Sequence, residues 1–141
     1  MSSSWLCVDA NLVIRLVTDP SDESIQRQWE LWDNGRQKLA APSLLYYEVA
    51  NALHRYRTLG LMSGTSLQLA FEAALALPIE LHYETDLHWR AMDLAGRLSL
   101  PAAYGAHYLA LAELLRSEFW TSDRRLVRAV QASLPWVHLV E

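Results

Sequence analysis

Three observations predict an α/β fold of three layers, with a mostly parallel sheet of four to five strands between helices. Short apolar runs of strand length alternate with helix-length segments throughout the 141 residues. The first run, from Trp5 to Val8, is continuous rather than alternating, the pattern of a strand buried on both faces. Strands separated by helices imply right-handed crossovers, hence parallel neighbours covered on both sides. The expectation is one domain over residues 1–141, because the length suits a single domain and 52% hydrophobic residues can build a core.

Asp9 follows the first strand, and Leu12, Val13, Leu16 and Val17 then recur at helical spacing. The acid therefore falls at the carboxyl end of a strand, the edge where open parallel sheets bind ligands. Asn11 either caps this helix or faces the same crevice. Pro20, Ser21 and Asp22 begin a second helix to about Gly35, with Ile25, Trp29 and Trp32 on one face. That stripe reads as core, with a groove for a partner helix as the rival reading. Lys38 to Ala41 forms a strand ending at Pro42, and Ser43 is placed to cap a helix through Glu48 and Leu53 to Gly60. A helix over Ser63 to Leu77 is stopped by Pro78, and Ile79 to His82 follows as a strand. Thr85 or Asp86 caps a helix ending before Pro101, and Ala102 to Ser117 carries Tyr104, Tyr108, Leu111 and Leu115 in helical register. Phe119 to Thr121 is a strand, Ser122 or Asp123 caps a helix through Val130, and Val137 to Val140 closes the chain as a strand.

Composition excludes several classes. The apolar stretches are too short and too interrupted to span a bilayer, and the opening Met-Ser-Ser-Ser lacks a leader's basic and apolar regions. A cytoplasmic protein without membrane association is expected. The single cysteine, Cys7, sits in the first strand as a small hydrophobe and leaves no intramolecular disulfide. A net charge of −4 argues against a protein that coats nucleic acid non-specifically. His54, His82, His88 and His138 show no ligand spacing, His107 and Tyr108 read as helix packing, and zinc is not expected.

The acids point to a different chemistry. Asp9 ends the first strand, Asp123 follows the strand at Phe119 to Thr121, and Glu48 lies in the first turns of the helix after the second strand. All three leave the same edge of the sheet. Converging carboxylates repel unless a cation sits among them, and oxygen-only donors suit Mg²⁺ or Mn²⁺.

Four segments carry a family resemblance: Val8-Asp9-Ala10-Asn11, Glu48-Val49-Ala50-Asn51-Ala52-Leu53, Tyr104-Gly105-Ala106-His107-Tyr108, and Trp120-Thr121-Ser122-Asp123-Arg124-Arg125-Leu126. In this order they resemble the successive motifs of the PIN domain, and most nearly the small VapC-type toxins of prokaryotic toxin–antitoxin pairs. The resemblance implies a metal-dependent endoribonuclease, usually a homodimer, inhibited by a cognate antitoxin whose tail occupies the active-site groove. It further implies RNA products with a 5′-phosphate and a 3′-hydroxyl. Asp9 and Asp123 would be the principal metal ligands, and Glu48 would bind a second ion directly or through water. Thr121 would position water or phosphate, with Asn11 supporting the ligands from behind. Arg124, Arg125 and Arg15 form either a phosphate-binding rim or a solvated face paired with nearby acids. Leu59, Leu61, Leu67 and Phe71 are candidates for a dimer surface.

One position departs from the family pattern. The third acid of the Tyr-Asp-Ala motif is replaced by Gly105, which supplies no ligand. Glu113 lies eight residues further on, about 80° around and about 12 Å along a helix, too far to substitute. Asp93 reads as part of a solvated face. Two functions follow: a Mg²⁺- or Mn²⁺-dependent endoribonuclease, intact or attenuated by Gly105, or a PIN-fold module without catalysis that binds RNA or sequesters an antitoxin. A receiver-like or haloacid-dehalogenase-like phosphotransfer domain fits less well, because no aspartate stands two residues after Asp9 and no lysine is suitably placed.

Overall fold

A computed structural model describes residues 4–141. Five strands, β1 (Trp5–Val8), β2 (Lys38–Pro42), β3 (Ile79–His82), β4 (Glu118–Thr121) and β5 (Val137–Leu139), form one sheet in the order β3-β2-β1-β4-β5. Every neighbouring pair is parallel, with Trp5 opposite Lys38 and Val8 opposite Trp120 in the two ladders that flank β1. The helices are α1 (Ala10–Thr18), α2 (Glu23–Asn34), α3 (Leu44–Thr58), α4 (Gly64–Leu75), α5 (Asp86–Arg97), α6 (Tyr104–Leu115) and α7 (Arg124–Val130). They cover the sheet on both faces, giving the PIN-like three-layer α/β/α arrangement.

The core explains the strand patterns. Leu6, Cys7 and Val8 are buried, as a central strand between two helical layers requires. α6 buries Ala106 and every residue from Tyr108 to Ala112, so its apolar character extends around the helix. Ile25, Trp29 and Trp32 of α2 are buried too, and Trp32 meets the edge of Trp120 with ring centroids 5.7 Å apart. The tryptophan stripe is core, which removes the open-groove reading of this helix. Cys7 is fully buried 3.3 Å from the Ser117 hydroxyl, and burial pushes its thiol pKa up to about 12, the state of an inert cysteine.

Two anticipated caps take another form. Asp22, Ser63 and Asp123 do accept backbone N–H bonds, from Ile25, Ser66 and Leu126. Ser43 and Thr85 occupy cap positions but already have helical backbone angles and make no side-chain cap bond. The Ser43 N–H instead donates to the His82 carbonyl at 2.9 Å, carrying the β2–β3 ladder into the helix start. Among the described residues, no helix is long and apolar enough to cross a membrane.

The strand order fixes where a site can form. From β1 the chain steps outward to β2 and β3, then returns to the other side of β1 for β4 and β5. The crossovers leaving β1 and β4 therefore diverge, opening a crevice at the carboxyl ends of these two strands.

Candidate active site

Asp9 stands directly after β1 and Thr121 ends β4, side by side at that divergence. The Asp9 N–H donates to the Trp120 carbonyl at 3.0 Å, so the acid is held by the ladder itself. The Thr121 hydroxyl donates to Asp9 Oδ2 at 2.7 Å and accepts from Asn11 Nδ2 at 3.1 Å and from the Asp123 N–H at 3.0 Å. One donor and two acceptor lone pairs are thereby used. Thr121 is also fully buried. It has no capacity left to position water or phosphate, so the expected direct role is corrected: Thr121 aims Asp9 and the turn that carries Asp123.

Asn11 faces the crevice rather than capping α1. Its amide donates to Asp9 Oδ2 at 3.3 Å as well as to Thr121, and its carbonyl accepts from the Ser122 N–H at 3.0 Å. The side chain therefore ties the β1–α1 corner to the β4–α7 corner. Asp123 combines two situations: Oδ1 caps α7 through Leu126 at 3.1 Å, while the residue lines the crevice.

The opposite wall comes from α3 and α6. Glu48 Oε1 accepts from the Tyr108 hydroxyl at 2.6 Å across 60 residues of sequence. Tyr108 is buried, and sequence reasoning assigned it to packing alone. The available signal was its place three residues after Gly105, on the same helical face. Asp9, Asn11, Glu48, Gly105, Tyr108, Asp123 and Arg125 line one open cavity of about 890 Å³.

Electrostatics mark the cavity as short of positive charge. Burial is the chief cause that pushes the Asp9 carboxyl up to about 7, and the charges of Glu48 and Asp123 add to it against the Thr121 hydrogen bond. Glu48 is likewise raised by burial, opposed by the bond from Tyr108. The Tyr108 hydroxyl is raised by burial and then by the neighbouring carboxylates. A hard cation would relieve these costs, so the donor chemistry suits Mg²⁺ or Mn²⁺. Yet, among the described residues, no three His, Cys, Asp or Glu side chains are grouped so that they could hold a metal ion. Each acid is drawn to its own partner: Asp9 to Thr121, Glu48 to Tyr108, Asp123 to its helix cap.

Gly105 is the second residue of α6 and lines this cavity. A Cβ there would meet no atom within 4 Å. Space for a side chain exists, and the first turn of α6 contains no acid. Because Gly105 sits at the helix start, it escapes most of the cost of about 1 kcal/mol that glycine carries in a helix interior.

The arginines separate. Arg125 lines the cavity, while Arg124 is exposed and 3.9 Å from the Glu141 carboxylate. Arg15 is corrected as a phosphate ligand. Its guanidinium binds both Asp22 oxygens at 2.8 and 3.0 Å, the Ser122 hydroxyl at 2.7 Å, and the carbonyls of Val140 and Glu141 at 3.1 and 3.2 Å. Five donors meet five acceptors, and none remains for phosphate. Asp93 pairs with Arg97 at 2.9 Å on the exposed face of α5, and Glu113 is not part of the cavity wall.

Solved structures share this architecture. A chain in a toxin–antitoxin complex from Klebsiella pneumoniae superimposes with a TM-score of 0.62 at 20% identity, covering 94% of each chain. PAE2754 from Pyrobaculum aerophilum gives a TM-score of 0.66 at 23% identity over 95% of this chain and 83% of its own. At these identities the likeness is one of fold. No protein-family model and no curated protein matches the chain significantly.

Proposed function

We propose that the chain is a Mg²⁺- or Mn²⁺-dependent endoribonuclease of the VapC toxin type, weakened by the glycine at position 105. The observation that supports this reading is that Asp9, Glu48 and Asp123 all line one crevice at the switch point of the sheet, with Gly105 in its wall. Asp9 and Asp123 would hold the cation, with Glu48 joining directly or through water. When bound, the ion supplies an acidified water and offsets charge developing on a phosphodiester. The protein's own groups do the rest. Thr121 and Asn11 fix the Asp9 carboxylate, Tyr108 restrains Glu48, and Arg125 offers its guanidinium to phosphate oxygens on the cavity wall. Arg124 extends that positive rim outward.

By analogy with the Klebsiella pneumoniae complex, an antitoxin is the protein partner proposed. A homodimer is proposed through Leu59, Leu61, Leu69 and Leu75, which are exposed, whereas Leu67 and Phe71 pack against the core. Activity in the cytoplasm on RNA belongs to the same proposal. The non-catalytic alternative, an RNA-binding or antitoxin-sequestering module, is favoured by one observation: the absence among the described residues of any three-ligand group.

The test is Mn²⁺- and Mg²⁺-dependent cleavage of a structured RNA by the chain, by Gly105→Asp, and by Gly105→Asp with Asp9→Asn. Cleavage that is strongest in Gly105→Asp and lost in the double variant is the expected result. No cleavage by any of the three leaves the non-catalytic module.

A further inference from the structure

Beside the acidic crevice lies a second cavity of about 340 Å³, with Tyr104 in the walls of both. Its rim carries three tyrosines that packing does not explain. Tyr47 is 75% exposed, Tyr83 81% and Tyr104 65%, and they come from α3, the segment after β3, and α6. Aromatic faces presented to solvent around a small pocket are the usual means of stacking an unpaired base.

Two polar groups of this pocket, His88 and Glu84, can accept hydrogen bonds from a ligand. His107 Nδ1 lies 2.9 Å from the Ala103 carbonyl, which can only accept, so this nitrogen carries the proton. His107 Nε2 then accepts from His88 Nδ1 at 2.8 Å. In the neutral ring this leaves the second nitrogen of His88, Nε2, as an acceptor. Glu84 adds a carboxylate, already oriented by the His82 ring at 3.1 Å. A carboxylate and an imidazole acceptor in one pocket favour a base edge that presents donors. Guanine offers two adjacent donors, N1–H and the 2-amino group, which match a carboxylate; uracil offers one N–H between two carbonyls.

We propose that this aromatic pocket binds an unpaired guanine of single-stranded RNA, stacked on its tyrosines and paired with Glu84, next to the acidic crevice. The identity of the ligand as RNA rests on the nuclease reading. The pocket would give that site a base preference flanking the phosphate it acts on.

The test is NMR of the full chain, following tyrosine and histidine ring signals during addition of guanosine 5′-monophosphate or uridine 5′-monophosphate. The guanine nucleotide should shift the rings of Tyr47, Tyr83, Tyr104 and His88, and bind at least about 5-fold tighter than the uracil nucleotide. Tyr83→Ala should weaken binding by about 5-fold or more, the low end of base–aromatic stacking. Glu84→Gln should erase the preference while the stacking shifts persist. Equal affinities together with indifference to Glu84→Gln would overturn the guanine assignment. If neither nucleotide moves the tyrosines, the pocket is not a base site and is left to a protein partner. Because the readout needs no cleavage, an absence of RNA cleavage in every variant counts against the nuclease reading alone. Cleavage without tyrosine shifts counts against the base pocket alone.

Discussion

The two walls of the acidic crevice differ in how firmly they hold their acids. On the β1–β4 wall, Asp9 is fixed by backbone and by two side chains, one of them a buried threonine whose hydrogen-bonding capacity is fully used. On the α3–α6 wall, Glu48 rests on a single tyrosine hydroxyl, and the neighbouring position is a glycine with open space around it. The sheet topology therefore fixes where the crevice lies, while the ligand complement of the proposed metal centre would depend on one residue at a helix start. A wall built into the sheet cannot change without disturbing the fold; a wall built from helix side chains can.

That contrast sets the order of expected effects. Thr121→Val should be the most damaging, about 2–3 kcal/mol in denaturant unfolding, because it leaves Asp9, Asn11 and the Asp123 N–H short of a buried partner. Arg15→Ala should cost about 2 kcal/mol, since it frees Asp22 and releases the chain's last two residues from α1. Retention of stability by Arg15→Ala together with loss of RNA binding would restore Arg15 to the phosphate rim. Tyr108→Phe on the weaker wall should cost only about 1 kcal/mol.

A pH effect of similar size should arise at Asp9. Its carboxyl is raised in the folded state, so the protonated form is the one that folding favours, and the stabilisation is full below the ordinary carboxylate range. Without divalent ions, stability should fall as pH rises from about 4 to about 7, by about 1 kcal/mol once solvent around the half-buried group is allowed for. With Mn²⁺ present the trend should reverse if the proposed centre forms, because a bound cation would favour the ionised carboxylate. Thermal melts across this range with and without Mn²⁺ check both signs. Gly105→Asp should change stability least, within about 0.5 kcal/mol, as a favourable acid near a helix N-terminus is set against repulsion from Asp9 and Glu48.

Much of the fold was legible in local patterns. The uninterrupted apolar run of β1, the helical spacing after Asp9 and the stops at Gly35, Gly60 and Pro78 are short-range signals, and the elements follow them closely. The edge from which Asp9, Glu48 and Asp123 emerge was equally legible, since it follows from which strand or helix end each acid occupies. What sequence did not reveal depends on contacts distant along the chain. Arg15 meets residues 107 to 126 positions away, so its role as a staple has no local signature. Tyr108 reaches Glu48 across 60 positions, and His88 meets His107 only because α5 and α6 pack together. Thr121 had the right place but the wrong function: β-propensity and site position were visible, whereas the saturation of its hydroxyl was not.

The most direct test of the account is the affinity for Mn²⁺ measured by calorimetry on the chain and on Gly105→Asp at neutral pH. A third carboxylate on the open wall should tighten binding about 10-fold or more, and Asp9→Asn should abolish that gain. Equal affinities in the two proteins would contradict the proposal that Gly105 stands at the vacant ligand position of a metal centre.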